Sequence, residues 1–598
     1  MRSKLFFILL PLSLLAQMEL EPQSMLYQAE WLSKKFNFEV AKAPPPLISP
    51  QPQSCLDTAS VWFSIDLNEI AAPAFETLNN DTFWEYLREI GVQGVYLKGL
   101  KRGGAFRTGI GLDPRWGNDW EDLSNLLRKK GISLIGDSLG SSTGLSADFW
   151  LALKNVGDYP GLYHLVEIDK RDWKLLPKMG KSQFAVNVPW LTLQELHKKG
   201  YVPEEFTPYV KQSRWNTTTQ VKCNDGKIRR WIYLKENEAD PVIDWLNPSF
   251  AGCRIATADT LDSIFNLGEK IVKLDASINA NTKQMMSLWT RKLGAFSVLE
   301  SKGGLDEIKQ ASTDLVTDTI TRPALLHALI TEDAEALKLM YRLYLEEGIE
   351  TKRLVHVLQP FDQFVCDWAE LLFSPKKRFQ YYDEILTGDA LRTRLLKEDV
   401  SKIGPPETAT WPKLCLMAKG IKDFQQKWED SGETHLLLAL FYAMQPGAFS
   451  FSVSDLYGTL QPQIVDLLKP NENTIYPSLT GQMNNPRSFA MQMRKLFSIR
   501  RDSEIESAEL VDVPQTNQPG LIILVYQLKN STTLQLLAVN FGKQNATQVL
   551  ELPNIRQTTA IDLLTGLAEK KPLESSVIRL DVPPLSGKVI RFQTKYYD

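Results

Sequence analysis

The chain has 598 residues, and 68 Lys and Arg against 71 Asp and Glu leave a net charge of −3 and a pI near 6.1. That balance excludes the basic stripe of an electrostatic nucleic-acid binder, and a composition 43% hydrophobic and 23% charged excludes wholesale disorder and collagen-like repeats. Five His without an H-x-x-x-H spacing and five scattered Cys without a C-x-x-C point away from zinc, so neither metal nor cofactor is expected.

At the N-terminus, Arg2 and Lys4 precede an apolar run from Leu5 to Ala16 that is too short to span a bilayer and has signal-peptide proportions. Residues 1–16 therefore read as a signal peptide and the chain as exported, periplasmic or secreted; the alternative is a packing helix in a cytoplasmic protein. No later stretch reaches 18 unbroken apolar residues, so no membrane span is expected in the mature chain. Residues 17–54 read as a short amphipathic helix (Met25, Leu26, Ala29, Trp31, Leu32) followed by a linker rich in proline, which cannot continue a helix.

A strand–helix rhythm follows. Short β-rich runs occur at Val61–Leu67, Gly94–Leu97 and Ile132–Ile135, with helical stretches around Asp81–Ile90 and Trp120–Lys130. Five more runs stand at Lys270–Leu274, Ala295–Leu299, Val316–Ile320, Leu354–Leu358 and Ala448–Val453. Eight strands separated by helices predict a (β/α)₈ barrel over residues 55–501. Residues 141–250, loop-rich and too long for a connection, read as a subdomain inserted after strand three, and 371–434 as a helical insertion. From residue 502 to 598, short alternating runs (Gly520–Leu528, Thr532–Asn540, Gln548–Leu552, Ser576–Leu580) predict an all-β sandwich.

In such barrels the working residues stand at the C-terminal strand ends. Those ends carry Asp137, Asp275, Glu300 and, a little beyond its strand, Asp362. Paired carboxylates suit glycoside chemistry, one attacking the anomeric carbon while the other protonates the leaving oxygen. In order and context they resemble the four motifs of the α-amylase superfamily: Gly136-Asp137-Ser138, Lys273-Leu274-Asp275-Ala276, Leu299-Glu300-Ser301 and Pro360-Phe361-Asp362. Longer segments look like the trehalose-synthase branch, which isomerises maltose. They are Gly157–His164 with Val166–Ile168, Trp245–Phe250, Ile320–Pro323, Met444–Gly447, Val539–Gly542 and Asp562–Gly566. The resemblance implies that Asp275 is the nucleophile, Glu300 the acid then base, and Asp362 the brace of the distorted ring. It further implies that Asp137 and Lys273 bind substrate, an α-glucan or maltose-type sugar.

The departures are specific. Ser141 and Ser142 stand where the family has Asn-His, Pro360 and Phe361 where it has another Asn-His, and Lys273 replaces an Arg, losing the planar fork that orients a carboxylate. Two readings follow: an α-glucoside-active enzyme working by hydrolysis or glucosyl transfer, or an inactive barrel serving as a glycan-binding or protein-interaction scaffold. A third, from another class, uses Gly140-Ser141-Ser142-Thr143-Gly144 as the elbow of a serine esterase with Ser142 as nucleophile, although the strand does not run directly into the first Gly. His356, inside its strand, reads as a satisfied barrel histidine, and Trp62, Trp84 and Trp215 as core more readily than as sugar platforms. Asn216-Thr217-Thr218 fits a glycosylation pattern without functional weight here.

Overall fold

The computed structural model describes residues 20–68, 70, 74–101, 110–117, 119–180, 183–203, 213–236, 240–244, 251–275, 278–301, 305–359, 428–459, 474–529 and 533–594. Residues 1–16, expected to form a signal peptide, Asp362 and most of the expected 371–434 insertion lie outside them.

In chain order the strands are β1 (Val61–Asp66), β2 (Gly94–Lys98) and β3 (Ser133–Asp137), then β4 (Leu165–Glu167), β5 (Ala185–Asn187), β6 (Trp215–Thr218), β7 (Val221–Lys222), β8 (Ile228–Arg229) and β9 (Trp231–Leu234). Next come β10 (Ile271–Asp275), β11 (Phe296–Glu300), β12 (Leu315–Thr317), β13 (Leu354–Val357) and β14 (Ala448–Ser452). The strands β1, β2, β3 and β10 to β14 form a closed barrel in chain order. It closes between β14 and β1, in parallel, with Val61 opposite Phe449. Every residue of β1 and of β14 is buried, as expected of parallel strands covered on both faces.

The sixth barrel strand is shorter than the predicted Val316–Ile320 and starts one residue earlier. Asp318 still donates its N–H to the Val355 carbonyl at 2.9 Å, but its carboxylate accepts the backbone N–H groups of Ile320 and Thr321, each at 3.1 Å, and this local turn ends the strand and starts the helix Thr321–Thr331.

The chain divides into two compact units. In the first, the helix Met25–Lys42 buries Met25, Leu26, Ala29, Leu32 and Phe36, one face at helical spacing, in a core with Phe149, Tyr163, Ile255 and Ala258. Ser24 caps this helix, its Oγ accepting from Tyr27 N at 3.0 Å. Asp148, fully buried, accepts from Met25 N at 2.8 Å and Leu26 N at 3.3 Å. Burial pushes its carboxyl up to about 6 against the pull of those two N–H groups. The segment expected to be loop-rich carries an antiparallel sheet in the order β4-β9-β6-β5 and a two-stranded ribbon β7-β8. Trp215 and Ile232 pack there with Leu193 and Leu196 of the helix Trp190–Lys198. Asn216 is buried in β6 with its amide on the Tyr233 hydroxyl, so the glycosylation pattern is not presented.

In the second unit the helix Asp81–Ile90 forms where predicted. Asn80 caps it by accepting from Thr82 N and Phe83 N, and it buries Phe83, Trp84, Leu87 and Ile90. The turn Met444–Gly447 leads into β14 under heavy constraint. Buried Arg500 donates to the carbonyls of Ala443 at 2.7 Å, Gln445 at 2.8 Å and Gly447. The Tyr341 hydroxyl reaches Gln445 Oε1 at 2.6 Å. Gly447 has φ +88°, and a Cβ there would stand 2.0 Å from the Leu354 carbonyl oxygen, so only glycine fits.

The C-terminal strands are β15 (Glu509–Asp512), β16 (Leu521–Gln527), β17 (Leu534–Asn540), β18 (Ala546–Glu551), β19 (Thr558–Asp562), β20 (Leu567–Ala568), β21 (Val577–Val582) and β22 (Ser586–Thr594). One sheet runs β15-β16-β17-β22-β19-β20 and the other pairs β18 with β21. Leu521, Ile523, Leu536, Leu550, Ile578, Leu580 and Phe592 share their core. Strands β18 and β21 alternate buried and exposed, as strands with one wet face do. The Asn540 amide donates to the carbonyls of Gln544, Val582 and Pro583. The Asp562 carboxylate accepts from Leu564 N and the Thr565 hydroxyl. The motifs at 539–542 and 562–566 are therefore turn chemistry of the sandwich.

Candidate active site at the barrel strand ends

Asp137, Asp275 and Glu300 are the last residues of β3, β10 and β11, and each is half-buried. The strand order of the closed barrel makes these three strands consecutive. Lys273 lies two residues before Asp275, also half-buried. Asp137, Lys273 and Asp275 fall in one compact unit and Glu300 in the other. Asp362, with Pro360, Phe361 and Ala276, lies outside the described residues.

The loop leaving β3 is tied down residue by residue. Ser138 N donates to the Lys273 carbonyl at 2.7 Å, and Leu139 N donates to Asp259 Oδ2 at 2.8 Å. Gly140 backs onto the nucleophile candidate: a Cβ there would lie 3.4 Å from Asp275 Oδ2. Ser141 Oγ donates to Glu236 Oε2 at 2.9 Å, and Ser142 Oγ donates to the same oxygen. The backbone of this stretch is also bonded to the segment after β9, with Ile243 N on the Ser141 carbonyl and Thr143 N on the Pro241 carbonyl. The two serines that replace Asn-His thus turn toward a carboxylate of the inserted subdomain. Sequence reasoning did not find Glu236; nothing in the spacing of residues 95 apart signals that contact.

Below this loop lies a buried charge cluster that sequence reasoning also missed. The Lys101 ammonium donates to Asp259 Oδ1 at 2.6 Å and to Ser263 Oγ at 2.8 Å. Asp262 accepts from Gly111 N at 3.1 Å. Burial alone would pull Lys101 down, but Asp259, Glu269 and Asp262 outweigh it and hold it up to about 12. Burial pushes the Glu269 carboxyl up to about 8, with Lys101 opposing.

The esterase arrangement does not form around Ser142. That residue is buried and its hydroxyl donates to a carboxylate. His356 has Nδ1 3.1 Å from Asp318 Oδ2 and Nε2 3.1 Å from the Pro446 carbonyl. His435 has its nitrogens on Tyr476 and Asp455. His356 is a satisfied barrel histidine, as its sequence position suggested. Trp62, Trp84 and Trp215 are core residues, each at most 2% exposed. Among the described residues no group of three or more His, Cys, Asp or Glu is arranged to hold a metal, and no helix is long and apolar enough to cross a membrane. Cys55, Cys223 and Cys253 are unpaired.

The chain thus carries a closed parallel barrel with carboxylates ending three consecutive strands, a small sheet inserted after the third strand and a C-terminal β-sandwich. No protein-family model matches the sequence, and no curated protein matches it. Solved structures do. The α-amylase of H. orenii is similar with a TM-score of 0.55 at 12% identity, over 90% of this chain and 100% of that one. The α-amylase of Geobacillus thermoleovorans, solved with acarbose, gives 0.54 at 11% identity over 90% and 99%. The debranching enzyme of Nostoc punctiforme gives 0.54 at 12% identity over 91% and 99%. The chain has the α-amylase fold, nearly end to end.

Proposed function

We propose that this chain is a retaining α-glucoside-active enzyme acting on maltose-type α-glucans, with Asp275 as nucleophile and Glu300 as acid then base. The observation that carries the reading is the position of Asp137, Asp275 and Glu300, each the final residue of one of three consecutive barrel strands. Asp275 attacks the anomeric carbon while Glu300 gives its proton to the departing glycosidic oxygen, leaving a glucosyl ester on Asp275. Glu300, now a carboxylate, takes a proton from water or a sugar hydroxyl, and that oxygen displaces Asp275. Asp362 braces the distorted ring. Asp137 and Lys273 hold sugar hydroxyls, Lys273 as a point charge rather than a fork. The acarbose bound by the Geobacillus thermoleovorans enzyme of the same fold supports the α-glucan class. Transfer to a sugar hydroxyl, as in trehalose synthase, is the finer form of the proposal. Export, from Arg2, Lys4 and the run Leu5 to Ala16, belongs to it as well.

A second reading has a specific observation in its favour. Ser141 and Ser142 spend their hydroxyls on Glu236, and Phe361 has no donor at all, so sugar contacts that the family makes there are gone. Such a barrel would bind glycan without turning it over. Incubating the full chain with maltose and with maltotetraose, beside Asp275→Asn, and following anomeric protons by NMR separates the two. Trehalose or glucose formed only with Asp275 intact establishes the enzyme. Broadened sugar resonances without product establish the binding protein.

A further inference from the structure

Four ionisable groups, Lys101, Asp259, Asp262 and Glu269, lie buried or nearly buried together beside the β3 loop. Taking a charge out of water costs several kcal/mol per ion, and apolar residues of the same volume would serve stability as well or better. The Asp259 carboxylate divides its two oxygens: Oδ1 takes the Lys101 ammonium at 2.6 Å and Oδ2 the Leu139 N–H at 2.8 Å. Leu139 lies between Ser138, bonded to the β10 backbone at the Lys273 carbonyl, and Gly140, the residue facing Asp275 Oδ2. An oxygen at position 259 therefore fixes the loop whose Gly140 faces the Asp275 carboxylate. Lys101, itself held by Ser263, aims the Asp259 carboxyl, which burial raises above its ordinary range with Lys101 opposing that rise.

We infer that Asp259 is a positioning residue for Asp275, acting through the Leu139 N–H and the Ser138–Gly140 loop, with Lys101 as its fixed internal counter-charge. The inference rests on the reading of Asp275 as the nucleophile. Displacing a nucleophile by about 1 Å costs on the order of 10²-fold in rate, a larger effect than the loosening of one neighbouring sugar contact at Asp137. Loss of the loop tie therefore falls mainly on kcat, with a smaller change in KM from the adjoining Asp137.

The test compares two double variants of the full chain that remove the same charges. Lys101→Met/Asp259→Asn keeps a carbonyl oxygen for the Leu139 N–H; Lys101→Met/Asp259→Leu does not. With maltotetraose as substrate, the Asn pair is expected to keep kcat within about threefold. The Leu pair is expected to lose roughly 10- to 100-fold in kcat, with any change in KM several-fold smaller. Equal kcat in the two doubles, or a rise in KM in place of a fall in kcat, overturns the positioning role. Should the Leu pair not fold, a loss of about tenfold in the Asn pair overturns it alone. A wild-type chain that turns over neither sugar removes the nucleophile assignment and the inference with it, a result distinct from an active wild type whose doubles match.

Discussion

Replacing Gly447 with alanine tests how the barrel is closed. The residue has φ +88°, where an L side chain costs about 1–2 kcal/mol. The larger cost is steric: the new Cβ would stand 2.0 Å from the Leu354 carbonyl oxygen and 3.1 Å from that of Thr351. These are backbone atoms and cannot swing aside. Relief requires β14 to withdraw from β13, where Val355 pairs with Ala448, or the Arg500 contacts at 443–447 to open. A total loss above about 4 kcal/mol is expected, in the exceptional range for a single substitution. Gly566→Ala is the control, since Gly566 has φ +73° but nothing within 4 Å of the added carbon. Thermal and urea unfolding of both variants should show Gly566→Ala mildly destabilised and Gly447→Ala grossly so, or insoluble. Equal shifts would refute the steric reasoning and reduce the effect to backbone conformation.

Three further outcomes are expected. Because burial lifts Glu269 to about 8, the native state holds its proton more tightly than the unfolded chain. Stability should fall as pH rises from the ordinary carboxylate range to about 8 and level off beyond; Glu269→Gln should flatten that slope in unfolding curves at successive pH values. Asp318 is the opposite case: burial would raise it, but the His356 hydrogen bond and charge hold it below its usual range. Its contribution is present at neutral pH and lost as pH falls through the depressed value. Asp318→Asn should cost roughly 3–5 kcal/mol at neutral pH and remove part of the acid-side loss. Finally, a serine-directed fluorophosphonate should leave the folded chain unlabelled, because Ser142 is buried and its hydroxyl donates to Glu236; labelling abolished by Ser142→Ala would reopen the esterase reading.

The barrel was legible because its strands are continuous apolar runs between helical stretches, a pattern set by burial on both faces. Seven of its strands fall within a residue or two of their expected bounds. The sixth was misplaced because Asp318 forms a side-chain turn that hydropathy does not encode. The inserted sheet went unseen because its strands are three or four residues long and one of them reads Trp-Asn-Thr-Thr. The strand-end carboxylates Asp137, Asp275 and Glu300 could be found because strands end where polarity resumes. Their surroundings could not. Lys101, Asp259 and Glu269 come from separate stretches of chain, and single charges among 71 acidic residues announce no partner.

The anchoring of the helix Met25–Lys42 sets where the chain can be cut. Asp148 is a buried carboxylate that accepts from the N–H groups of Met25 and Leu26, and Tyr159 reaches Ser24 at 2.8 Å. Removal of residues 1–16 leaves all of these in place. A protease acting beyond Leu26 would take the donors and strand a buried anion, so the body of the unit would loosen although the excised residues are few. Trimming past Gln23 would remove first the Ser24 cap and then the two donors that hold Asp148.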